Sequence, residues 1–82
     1  MKEAMRAAVL VRDELRRELA LHGIELVTAD LGTLSGSHVW VISFADRAGF
    51  VRRLDIEARS LPRSESTSAA LTQLIIQNAR ES

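Results

Sequence analysis

The stretch from Val39 to Ile56 constrains this chain more than any other, because it carries all the aromatic residues and the densest run of β-branched ones. It reads as a β-hairpin. Its first limb is apolar at Trp40, Ile42 and Phe44 but also at Val39, Val41 and Ala45, so both faces of that strand want cover, as a central strand would. The second limb alternates. Phe50, Leu54 and Ile56 fall on one face and Val51, Arg53, Asp55 and Glu57 on the other, the period-two pattern of a strand half open to water. Asp46-Arg47-Ala48-Gly49 between the limbs suits a type I turn closed by a left-handed glycine.

The remaining segments arrange themselves around this hairpin. A helix is predicted from about Lys2 to His22, stopped by Gly23, with Ala4, Ala8, Val11, Leu15, Leu19 and His22 forming its apolar stripe. On its other faces, Asp13 and Arg17 are spaced for an i,i+4 ion pair. Ile24 and Leu26 mark a first strand over residues 24–29, and the glycines and serines of residues 30–37 read as a turn-forming link. After Ile56, residues 58–66 hold the single proline and leave the sheet. Ser64, Ser66 or Thr67 is then the N-cap of a second helix, with Leu71, Leu74, Ile75 and Asn78 on its stripe and Ile76 off it. The predicted architecture is one α+β domain over residues 1–82, ordered α-β-β-β-α, a three-stranded antiparallel sheet flanked by two helices.

Eighty-two residues build only a small core, and chains of this size often gain stability by associating. Ala7-Ala8-Val9-Leu10-Val11 is apolar all round the first helix, more than one sheet can cover. A homodimer is therefore expected, with Ala7, Ala8, Val11 and the off-stripe Ile76 at its interface. Eleven basic and eleven acidic residues balance to zero net charge, so no bulk field draws the chain to nucleic acid or to an anionic membrane. The absence of cysteine removes disulfides and thiolate chemistry. No signal peptide or membrane-spanning run is visible, which gives a cytoplasmic expectation with no membrane partner.

Conventional catalytic material is sparse. His22 falls in the last turn of the first helix, where a cation suits the helix dipole. His38 follows Gly36-Ser37 and opens the central strand, a place where an imidazole can act as acid or base or simply begin a strand. Glu25, Asp30, Asp46, Asp55 and Glu57 show no spacing that gathers metal ligands, and neither metal nor cofactor is expected. The basic residues offer more. Arg6, Arg12, Arg16 and Arg17, with Lys2, put five cations on the first helix, where they can meet phosphates without reading bases. Glu3, Asp13, Glu14 and Glu18 interleave with them, and the alternative is a mixed, solvated face.

Two resemblances separate these readings. Val39-Trp40-Val41-Ile42, Gly49, Leu54-Asp55-Ile56, Leu71, Leu74-Ile75 and Ala79 resemble the second half of the YbaB/EbfC family of nucleoid-associated proteins, with Glu57-Ala58 where that family shows Asp-Pro. That likeness implies an intertwined dimer clasping duplex DNA between protruding helices, with little sequence preference and no enzymatic activity. Glu14-Leu15 through Leu19, His22-Gly23-Ile24-Glu25-Leu26-Val27 and Gly36-Ser37-His38 are instead similar to the opening of HicA-type toxin ribonucleases, which implies His38 as the catalytic residue. A third reading is a protein-interaction or assembly module docking through residues 7–11 and Ile76.

Overall fold

The computed structural model describes residues 2–81, with side chains from residue 6 onward, so Lys2 and Ala4 as side chains lie outside the described residues. The chain forms α1 (Lys2–Ala20), β1 (Glu25–Leu34), β2 (Ser37–Ala45), β3 (Val51–Glu57), a single 3₁₀ turn (Ala58–Ser60) and α2 (Thr67–Arg80). The strands make one antiparallel sheet in the order β1-β2-β3, so the predicted α+β class and element order hold and β2 is central.

Gly23 ends α1 as its sequence position predicts. The helix tightens in its final turn, with His22 N donating to Leu19 O at 2.9 Å. Gly23 N then donates to Ala20 O at 3.1 Å and Ile24 N to Leu19 O at 3.0 Å, the paired bonds of a Schellman cap. Gly23 sits at φ +73, where a side chain would be strained. Regular helix therefore stops at Ala20, and His22 ends up exposed on the turn instead of closing the apolar stripe.

The predicted link over residues 30–37 is not a loop. β1 continues through it to Leu34 and pairs with β2 from Glu25↔Ala45 to Leu34↔Ser37. Only Ser35 and Gly36 turn the chain, at φ 51 and 79, and positive φ at both central residues is the signature of a type I′ hairpin. A β-bulge between Leu26 and Thr28 shifts the alternation, which is how Leu26 and Ala29 both come to face the core while Val27 is exposed.

The second hairpin has the predicted chemistry. Gly49 N donates to Asp46 O and Asp46 N to Phe50 O, both at 2.9 Å, and Gly49 takes φ +88. Phe50 departs from expectation: it precedes β3 instead of lying in it, and it is 70% exposed. Within β3, Arg52, Leu54 and Ile56 are half-buried and Val51, Arg53, Asp55 and Glu57 exposed, which preserves the alternation.

Both helices cover one face of the sheet. Leu15 and Leu19 from α1 and Leu71 and Ile75 from α2 join Leu26, Ala29, Trp40, Ile42 and Phe44 in a single core. The opposite face keeps Thr28, Asp30 and Arg53 in water, with Val39 buried on it and Val41 half-buried. Ser66 is the N-cap that α2 uses, its hydroxyl accepting from Ala69 N at 3.2 Å. The buried face of α2 carries Ser68, Leu71, Thr72 and Ile75, and Ile76 and Ala79 pack beside it. Leu74, predicted on the stripe, is 38% exposed. The frame turns because α2 packs against α1: Ser68 Oγ donates to Glu14 Oε2 at 2.6 Å and fixes which face looks inward. From there α2 runs the same way as α1, ending beside the His22 turn where Ile76 and His22 line one cavity.

Candidate nucleic-acid interface and the end clamp

Among the described residues some arginines are engaged internally and others are unpaired, the second group including Arg63 and Arg80 as well as those of α1. On the second hairpin and its exit, Arg52 pairs with Asp46 at 3.2 Å, Arg53 with Asp55 at 3.1 Å and Arg59 with Glu57 at 3.2 Å, while Arg47 Nε donates to the His22 carbonyl at 2.9 Å. Arg6, Arg12, Arg16 and Arg17 of α1 make no hydrogen bond or ion pair among the described residues. The predicted Asp13–Arg17 ion pair does not form; such exposed pairs gain less than about 1 kcal/mol and lose side-chain freedom on closing.

Helical spacing sorts the unpaired arginines. Arg12 and Arg16, four residues apart, share the flank next to the core positions Leu15 and Leu19, and Arg12 is half-buried with its Nε enclosed and unpartnered. Arg16 is exposed and lines a shallow groove of about 340 Å³ beside Gly23, Glu25 and Leu26 at the start of β1. Arg6 and Arg17, three turns apart, share the face turned away from the sheet. Among the described residues none of the interleaved acids pairs with them. Glu14 is drawn to Ser68, and Asp13 and Glu18 are exposed without partners.

Of the expected dimer residues, Ala8, Val11 and Ile76 are half-buried against the chain's own core and Ala7 is exposed. The outward members of the apolar run are Val9, 42% exposed, and Leu10, 61% exposed. His38 is exposed at the start of β2, opposite Thr33, and has no hydrogen-bond or charge partner among the described residues. Trp40, two residues on, is buried in the core. Among the described residues no group of three His, Cys, Asp or Glu side chains could hold a metal ion, and no helix is long and apolar enough to cross a membrane.

A clamp at the opposite end of the sheet from His38 was not anticipated from the sequence. The Asp46 carboxylate accepts from Ala48 N at 2.9 Å, Phe50 N at 3.0 Å and Arg52 Nε at 3.2 Å. Arg52 also donates through Nη1 to Asn78 O at 3.1 Å, near the C-terminal end of α2, while Arg47 serves the C-terminal turn of α1. One turn thus ties both helix ends, placing guanidinium charge where the carbonyl ends of the dipoles lie. Asp at the head of a turn is a readable signal, but neither arginine's distant partner is.

The fold and its cation-bearing helix define a small α+β protein with an open three-stranded sheet. Comparison with protein-family models, with curated proteins and with solved structures finds no match for the chain.

Proposed function

We propose that the chain is a small homodimeric, duplex-DNA-binding protein of the nucleoid-associated kind, cytoplasmic, holding phosphates through Arg6, Arg12, Arg16 and Arg17 with little sequence preference and no chemistry of its own. The observation that carries this reading is the grouping of four arginines on α1 that have no anion partner among the described residues, whereas those of the second hairpin are engaged internally. A guanidinium forms strong, charge-assisted bonds to phosphate, and a net-neutral chain needs a local set of them. A second copy of the chain, with the exposed Val9 and Leu10 as candidate contacts, would add its own set of arginines.

The test is duplex binding as a function of salt. Each phosphate contact lowers log affinity by about 0.9 per unit of log salt concentration, so replacing Arg6, Arg16 and Arg17 with alanine should flatten the slope and weaken unrelated duplexes alike. Those three side chains are exposed, so the fold should survive. An unchanged slope in a folded triple variant moves the site off α1. Failure of wild type to bind duplex at low salt favours the protein-interaction module, for which Leu10, Leu21, Leu34, Phe50 and Val51 are among the exposed apolar side chains. RNA cleavage by wild type that disappears in His38→Ala would replace both with the ribonuclease reading.

A further inference from the structure

The clamp leaves a cavity of about 290 Å³ between the C-terminal ends of α1 and α2. Its volume is at the small end for ligand sites. Ile24 and Ile76 supply apolar wall, Arg47 and Arg80 supply charge from opposite elements, and His22 and Asp46 complete the rim. Ile24 is buried and Ile76 half-buried, so the apolar part is recessed.

We propose that this cavity binds a small organic monoanion, a carboxylate with a short apolar tail, with the carboxylate on Arg47 and Arg80 and the tail against Ile24 and Ile76. The charge count sets the ligand's sign and size of charge. Asp46 is neutralised by Arg52 and its oxygens are filled by two backbone N–H groups. Arg47 uses only Nε, on the His22 carbonyl, which leaves its terminal amino groups free. Arg80 makes no hydrogen bond or ion pair among the described residues. Against these two cations stand two helix C-termini of about −0.5 charge each, and Glu81 beside Arg80 lines a different groove, so the groups lining the cavity carry roughly one net positive charge. A single carboxylate balances that; a dianion overshoots it and leaves the apolar wall uncovered. The site is independent of the arginines assigned to DNA, so neither proposal stands or falls with the other.

Amide chemical shifts of the full chain, titrated with hexanoate, hexanol and inorganic phosphate in turn, test it. Hexanoate should give saturable shifts at Ala48 and Ile76, and hexanol and phosphate should each bind about tenfold more weakly or worse, because each lacks one half of the recognition. Arg80→Gln should weaken hexanoate by about tenfold, the loss of one charge-assisted contact, while Arg16→Gln, in the other groove, should leave it unchanged. The proposal is overturned by non-saturating shifts up to about 20 mM, where even a weak small ligand should register. Hexanol or phosphate binding as well as hexanoate, equal affinity in Arg80→Gln, or an equal loss in Arg16→Gln would also overturn it.

Discussion

Asp46 holds more of the molecule together than its position in a surface turn suggests. Its carboxylate is largely shielded, with 8% side-chain exposure, and satisfies two backbone donors and one guanidinium. Hydrogen bonds to a charged group are worth about 1.5–3 kcal/mol, so Asp46→Ala should cost about 2–3 kcal/mol in urea unfolding, and Asp46→Asn less, since the amide oxygen still serves the turn. Asp55 is the contrast. Its pair with Arg53 is half in water on both sides, and Asp55→Ala should change stability by less than about 0.5 kcal/mol. Ser35 offers a gain instead: it holds φ 51 in the type I′ turn, a conformation that asparagine tolerates better, so Ser35→Asn should stabilise by about 0.5 kcal/mol. An unchanged urea midpoint would mean that the serine pays no strain there.

At the level of elements, the sequence was clearest where local chemistry and packing agree. Gly23 and Ser66 announce the ends of helices because their backbone angle and side-chain acceptor act within a few residues. Asp30, Gly32 and Thr33 look turn-forming in the sequence, whereas pairing with the strongly β-prone β2 overrides that preference and extends β1 through them. The bulge at Val27 hid the rest by shifting the alternation. The inward face of α2 escapes the sequence for a related reason: Leu74 is more apolar than Ser68, but the Ser68–Glu14 bond and the neighbouring helix decide which is buried. The unpaired state of the α1 arginines was equally hidden, since interleaved acids imply pairing until Glu14 is seen turning to α2. A prediction about α1 follows from its two apolar sides. Leu10→Glu should dissociate a dimer in sedimentation while far-UV circular dichroism stays unchanged, and Val11→Glu should unfold the chain because Val11 packs on its own core. A dimer that survives Leu10→Glu has its seam elsewhere.

Taken as a whole, the molecule is a strand meander sheathed on one face by two helices running the same way. The order of elements is legible because turn-forming residues separate the three β-prone runs, and the shared face and direction of the helices are not, because they depend on contacts between the chain's two ends. That layout divides the contacts by their cost in chain closure. The two hairpins join near neighbours and can form in about 1–10 μs, whereas the bond from Ser68 to Glu14 spans 54 positions and requires a long loop to close first. The expected consequence is an order of events: the sheet should form early with α1 against it, and α2 should dock after the rate-limiting barrier. Gly36→Ala, which strains the first turn, should then slow refolding and scarcely affect unfolding, while Ser68→Ala should leave refolding unchanged and hasten unfolding by about five- to tenfold for a loss of about 1–1.4 kcal/mol. Stopped-flow traces showing slower refolding for Ser68→Ala would place the closing of the helix pair at the barrier itself, and the strands would then be followers of the helices.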